Sequence, residues 1–291
     1  MVTTEFICGR RSKSRRPPSE PTRAEDKATT RKNGMDHVVI VLPTYNEAEN
    51  IGKLLDAIQN QARRLENSRL SVVVVDDLSP DGTGEIVSQY SKQRPNVYLL
   101  GGEEKRGLGT AYKRGIFYAI NELGADIVFE MDADFSHDPN DIPRLLKVAS
   151  EGSDFAVGSR YVPGGSIPDN WSALRKANSR WGNIFARHIA GLRNIRDCTS
   201  GYRAIRTDLL RKIDLNKLAV TGYAFQMSLL HAAVQSGAVV SEIPIRFTDR
   251  VRGESKIGMS DIVEFMINSF EIRLSMIFKR IFKRRAKRVS D

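Results

Sequence analysis

Asp132-Ala-Asp134 is the tract of this sequence best suited to chemistry. In extended backbone, carboxylates two residues apart project to the same side. Such a pair offers hard oxygen ligands, the kind that Mg2+ and Mn2+ take together with substrate phosphates. Standing alone, an Asp-x-Asp tract is as readily an N-cap or a turn. Two further acidic tracts, Pro43-Thr-Tyr-Asn-Glu47 and Asp76-Asp-Leu-Ser-Pro-Asp-Gly-Thr83, argue against that simpler reading, because each also follows an apolar run. Carboxylates crowded together repel one another unless a cation or hydrogen-bond donors offset them. Within these tracts Asp81, just before Gly82, suits a helix N-cap, and His137 suits a loop-shaping hydrogen bond better than a place among oxygen ligands.

The elements that must position these tracts follow from periodicity. Apolar runs at His37–Leu42, Ser71–Asp76, Val97–Leu100, Ile127–Met131 and Phe155–Gly158 read as buried strands, joined by a strand signal at Tyr202–Ile205 and a last one at Val239–Ile245. Between them, helical spacing predicts helices over Glu47–Leu65, with Ile51, Leu54, Leu55 and Ile58 on one face, and over Gly82–Gln93, Leu108–Leu123, Ile142–Ala149, Leu174–Ile189 and Phe225–Gln235. Strands that are apolar throughout and alternate with helices predict an α/β fold of Rossmann type, a mostly parallel central sheet covered by helices on both faces. Ligands of such sheets bind beyond the carboxyl ends of the strands, which is where the acidic tracts fall. The sequence has neither Gly-x-Gly-x-x-Gly after its first strand nor a lysine-bearing phosphate loop, which counts against NAD binding and P-loop chemistry.

Taken in order, Pro43-Thr-Tyr-Asn-Glu47, Val75-Asp-Asp-Leu-Ser-Pro-Asp-Gly-Thr83, Asp132-Ala-Asp-Phe-Ser-His137, Gly158-Ser-Arg-Tyr161 and Arg250-Val-Arg-Gly-Glu-Ser-Lys256 resemble family 2 glycosyltransferases of GT-A fold. Among those the chain is most similar to dolichol-phosphate mannose synthases, from about Val38 to Lys256. The resemblance implies inverting transfer of mannose from GDP-mannose to dolichyl or another polyprenyl phosphate, with Mg2+ or Mn2+ as cofactor. Residue by residue, it implies Pro43, Tyr45, Glu47, Val75 and Asp77 around the guanosine. Met131, Asp132 and Ala133 would line the ribose and diphosphate, with Asp132 and Asp134 on the metal. Ser136 stands where many relatives carry a glutamine that also touches the metal; serine reaches less far, which leaves its ligand role open. Arg250 and Lys256 match a basic pair on a loop over the diphosphate, where Arg gives a bidentate fork and Lys a point charge.

Arg160, Arg175 and Ser179 match positions that hold the acceptor phosphate, and with Asp134 the two arginines would carry catalysis. A phosphate monoester bears about 1.5 to 2 negative charges at neutral pH, so it is already a nucleophile. Positioning and charge stabilisation of the leaving diphosphate would then do the catalytic work. Trp171 reads equally as a core residue or as one at a membrane interface.

Charge distribution separates body from ends. Residues 1–34 hold nine Lys/Arg against four Asp/Glu and residues 279–291 seven against one, so of a net +10 these ends supply +11 and the body is close to neutral. Residues 1–34 read as a disordered basic arm, 35–257 as the catalytic domain, and 258–291 as an amphipathic interfacial helix with a polybasic tail suited to an anionic membrane surface. No apolar run reaches the length of a membrane span or a secretory signal, and two cysteines, Cys8 and Cys198, make no disulfide framework. The expectation is a peripheral protein on the cytoplasmic side of a membrane, reached by its own helix or through a small membrane-embedded partner subunit. UDP-glucose as donor to the same lipid is the rival reading among enzymes. Nucleic-acid binding, motivated by the basic ends, has no base-reading motif to support it.

Overall fold

Alternate residues of an extended run face opposite sides, so a strand that is apolar throughout needs cover on both. In the computed structural model, which describes residues 35–65, 67–102, 106–218, 222–249, 266–267 and 269–274, that cover is two layers of helices on a seven-stranded sheet. The strands are β1 (Asp36–Thr44), β2 (Ser68–Asp76), β3 (Val97–Gly101), β4 (Ile127–Glu130), β5 (Phe155–Ser159), β6 (Arg203–Arg206) and β7 (Val240–Pro244). The helices are α1 (Ala48–Ala62), α2 (Thr83–Gln93), α3 (Leu108–Asn121), α4 (Ile142–Ser150), α5 (Ala173–Ile189), the single turn α6 (Thr207–Leu210) and α7 (Gly222–Gln235). Val39, Val41, Val73 and Val75 point into one core with α3, α5 and α7. Val38, Ile40, Leu42, Val72 and Val74 point into the other with α1, α2 and α4. The arm expected over 1–34, the tract carrying Arg250 and Lys256, and the polybasic run of 279–291 lie outside the described residues.

The strand order is β3-β2-β1-β4-β6-β5-β7. β1 pairs in parallel with β2 and β4, β2 with β3, and β5 with β7, whereas β6 runs antiparallel to both β4 and β5. The reversal has a local cause. After β5 the chain stays at the carboxyl edge of the sheet through α5, where the Asp197 carboxylate accepts from the Arg160 backbone N–H at 3.0 Å, so β6 enters from that edge and runs back. Arg203 thereby falls opposite Glu130.

Two packing details fix the site's neighbourhood. Gly115 lets α3 lie directly on the sheet: a Cβ there would sit 2.3 Å from Val41 Cγ1 and 3.0 Å from Val75 Cγ2. Asp81 serves two helices, its Oδ1 accepting from Thr83 N at 3.1 Å and its Oδ2 from Ala48 N at 2.9 Å. Burial works to raise its pKa, but a 2.6 Å hydrogen bond from Thr83 Oγ1, together with these two, outweighs burial and holds the carboxylate below its ordinary value.

Candidate active site

The loops after β1, β2 and β4 share one sheet edge, and each contains a non-glycine residue in the left-handed region: Asn46 (φ 56°), Leu78 (φ 57°) and Phe135 (φ 63°). Such backbone is costly and persists where surrounding bonds over-determine it. Here those bonds are visible. Asp76 accepts from Thr44 Oγ1 (3.0 Å), Ser79 N (3.0 Å) and Ser79 Oγ (2.5 Å), tying the first two loops together. Phe135 O accepts from Thr248 Oγ1 (2.8 Å) and Ser136 O from Thr248 N (3.2 Å).

Around Asp132 and Asp134 neighbouring side chains and backbone hold both carboxylates in place. Tyr112 on α3 donates to Asp132 Oδ1 at 3.1 Å; burial and then the nearby Asp132 charge push the tyrosine pKa well up, so the hydroxyl stays a donor. Ser136 donates to Asp134 Oδ1 from both N (3.0 Å) and Oγ (2.6 Å). The serine therefore orients the carboxylate. His137 is buried, stacked on Tyr202 (4.7 Å between centroids, 4° interplanar), and its Nδ1 accepts from Asp132 N at 3.1 Å. Burial lowers its pKa and keeps the ring neutral, as the acceptor role requires. Gly201 leaves room beside the carboxylate, since an added Cβ would lie 3.4 Å from Asp132 Oδ1. Behind Asp132, Glu130 and Arg203 are fully buried, with Oε2 and Nη1 3.8 Å apart, beyond hydrogen-bonding reach. Burial pushes the Glu130 pKa up to about 7.

In the loop after β2, Asp77 is buried, accepts from Arg106 N (3.3 Å) and faces Arg114 Nη1 (3.4 Å); burial raises its pKa. Tyr45, Glu47 and Pro43 are half-buried at the loop. Val75, Met131 and Ala133 are different. Their side chains belong to the two cores, so only their backbone faces the sheet edge.

Arg160 is buried in a fork with Asp197: Nε to Oδ2 and Nη2 to Oδ1, both 2.7 Å, with Nη2 also donating to Thr199 Oγ1 at 2.7 Å. Burial works to raise the Asp197 pKa, but the Arg160 guanidinium outweighs it and holds the carboxylate below its ordinary range. Arg175, in the first turn of α5, lies 4.0 Å over the Trp171 ring and 3.5 Å from Asp249 Oδ1. Ser179 shares a 2.6 Å hydrogen bond with Tyr161. A row of rings, His137, Phe247 and Trp171, in edge contacts of 5.6 and 5.8 Å, links the Asp132–Asp134 loop to this arginine cluster, and Arg160 lies 5.3 Å over Phe247. Trp171 is thus nearly buried and a platform for Arg175. Tyr112, Asp197 and Asp249 carry no sequence signal of their own.

Comparison with known proteins gives concordant matches. Residues 39–214 match the model of Glycosyl transferase family 2. The polyprenol monophosphomannose synthase of Mycolicibacterium smegmatis is 39% identical over 248 residues, covering 85% of this chain and 90% of that one. The undecaprenyl-phosphate mannosyltransferase of Micrococcus luteus is 40% identical over 235 residues, covering 79% and 91%. Among solved structures, glucosyl-3-phosphoglycerate synthase from Mycobacterium tuberculosis, in complex with Mn2+, UDP and glucosyl-3-phosphoglycerate, shares the fold with a TM-score of 0.59 at 18% identity, covering 90% of this chain and 86% of that one.

Proposed function

The chain belongs to glycosyl transferase family 2, and from that premise we propose that it transfers mannose from GDP-mannose to dolichyl or another polyprenyl phosphate. The observation that carries this reading is a pair of anion-handling clusters joined by the aromatic row: Asp132 and Asp134 at one end, Arg160 and Arg175 at the other. The first suits a metal-bound diphosphate, the second a phosphate monoester. Bond formation between an acceptor phosphate oxygen and C1 of the sugar, as the C1–O bond to GDP breaks, inverts the anomeric centre. Asp77, fixed by Arg106 and Arg114, would accept from the N–H edge of guanine.

The residues present fit a divalent cation. The two carboxylates are hard donors already aimed by Tyr112 and Ser136, and the Nδ1 of His137 is occupied by the Asp132 backbone N–H. Among the described residues no group of three or more His, Cys, Asp or Glu is gathered as a metal site, so diphosphate oxygens and water would complete the shell, as is usual for Mg2+ and Mn2+. Bound there, Mg2+ or Mn2+ offsets the charge of the leaving diphosphate. Ser136 then acts through Asp134.

The helix that carries Arg175 and Ser179 also supports peripheral attachment to the cytoplasmic leaflet. No helix among the described residues is long and apolar enough to cross a membrane. On α5, however, Leu174 (70%) and Trp181 (69%) are exposed with Ile184, and Phe185 meets Phe270 of a second helical segment that exposes Met266, Ile267 and Leu274. α5 contains Arg175, Lys176, Arg180 and Arg187 and no acidic residue, which suits an anionic surface. The test of the activity is transfer from GDP-mannose or UDP-glucose to dolichyl phosphate with Mn2+. A mannosyl lipid from the first donor is expected; a glucosyl lipid alone would overturn the donor assignment.

A further inference from the structure

The two arginines proposed for the acceptor phosphate are held by carboxylates in opposite ways. The Arg160–Asp197 pair is closed: two bonds of 2.7 Å, with side chains 5% and 0% exposed. The Arg175–Asp249 pair is open: one approach of 3.5 Å, with side chains 40% and 36% exposed. A buried fork cannot be broken without stranding a charge, whereas an exposed pair of this length is worth little and exchanges readily.

The geometry points to Asp249 as an internal competitor that occupies Arg175 until the acceptor phosphate displaces it, while Asp197 keeps Arg160 throughout. This rests on the reading of Arg175 as an acceptor contact. Displacement leaves no orphan, because Asp249 retains Trp171 Nε1 on Oδ1 and Asn170 Nδ2 on Oδ2, each at 3.3 Å. Arg175 meanwhile keeps its seat on the Trp171 ring and can turn on it without leaving it. Asp249 itself is held in place, since the preceding Thr248 is bonded to the Asp134–Ser136 loop.

The consequence is discrimination by charge. The acceptor is a phosphate monoester carrying about 1.5 to 2 negative charges, and it outcompetes one carboxylate for a guanidinium through a bidentate contact. The product is a phosphodiester with a single charge. Against that weaker anion Asp249 regains Arg175, so the same contact that yields to substrate favours release of product. Asp249 is therefore a specificity-determining residue that sets the balance between the two.

The test is steady-state kinetics on the full-length protein with a short-chain polyprenyl phosphate in detergent, together with inhibition by its mannosyl phosphodiester. Asp249→Asn keeps an oxygen for Trp171 and removes the charge. The acceptor KM is expected to fall about 2- to 5-fold, the range set by an exposed ion pair, with the phosphodiester inhibiting more strongly and the GDP-mannose KM unchanged. In an Arg175→Ala background, which itself raises the acceptor KM, Asp249→Asn should then have no effect on either constant. Unchanged or raised acceptor and product constants in Asp249→Asn, with Arg175→Ala still impaired, would overturn the exchange alone. An unchanged acceptor KM in Arg175→Ala would overturn the acceptor reading of Arg175, and the exchange with it.

Discussion

Replacing Arg160 by Met separates what the buried fork does for folding from the acceptor contact proposed for Arg160. The change strands the Asp197 carboxylate, fully buried and deprived of its two 2.7 Å partners. Breaking one side of a buried pair costs about 3–5 kcal/mol; at about 2–4 °C per kcal/mol for a chain of this size, the melting temperature should drop by about 6–20 °C. Adding Asp197→Asn removes the stranded charge and keeps an oxygen for the Arg160 backbone N–H, which Asp197 Oδ2 now binds at 3.0 Å. Most of the lost stability should return in the double variant. Activity should not. The acceptor loses a charge-assisted hydrogen bond of about 1.5–3 kcal/mol, equivalent to a fall of about 10- to 150-fold in kcat/KM for the lipid phosphate. The assays are thermal unfolding with metal chelated, and radiolabelled mannose transfer at saturating donor. Recovery of wild-type kcat/KM in the double variant would refute any contact between Arg160 and acceptor, and a single variant that melts like the wild type would refute the energetic weight given to the fork.

Asp134→Ala should lower transfer about 100- to 1,000-fold, as loss of the cation that would offset the leaving diphosphate's charge does, with the far-UV circular dichroism unchanged; wild-type turnover that persists in EDTA would remove the metal role. Glu130, raised from an ordinary 4.5 to about 7 by burial, binds its proton more tightly folded than unfolded, so the folded state loses stability as pH rises through that window and the loss levels off above it. Relative to wild type, Glu130→Gln should therefore gain up to about 3 kcal/mol between pH 5 and pH 8 in chelator; denaturant titrations at the two pH values measure it, and a pH-independent difference would place the Glu130 proton elsewhere. Of the two tryptophans Trp171 is nearly buried and Trp181 exposed, so fluorescence should shift to the blue on phosphatidylglycerol vesicles and not on phosphatidylcholine, and Trp181→Ser should abolish the shift; no shift with wild type would remove α5 from the membrane surface.

The strands that position the site are legible in the sequence because Val38–Leu42 and Val72–Val75 are apolar on both faces, a pattern that admits little but a doubly covered sheet. Asp132 and Asp134 are legible for a related reason, since a pair of charges directly after such a strand has no place in either core. The same double cover explains what composition could not reveal about Val75, Met131 and Ala133, whose side chains are consumed by packing. Partners remote in sequence were illegible. Asp197 lies 37 residues from Arg160 and Asp249 74 from Arg175, and nothing local distinguishes either carboxylate from a solvated one. The direction of β6 was equally hidden, because it depends on where the chain stands after α5 and not on the composition of Arg203–Arg206.

That inserted strand also dictates an order of assembly during synthesis. The row β3-β2-β1-β4 is complete once residue 130 has been made, yet its open edge at β4 is closed by Arg203–Arg206 and by no earlier segment. β5 emerges in between and pairs only with β6 and β7 among the described strands. A nascent chain therefore carries an unpatched sheet edge for some seventy residues of elongation, the kind of edge on which chains join one another. Fragments that stop between β5 and β6 should precipitate where fragments that extend past β7 remain dispersed, so the shortest useful truncation of this protein ends beyond Pro244.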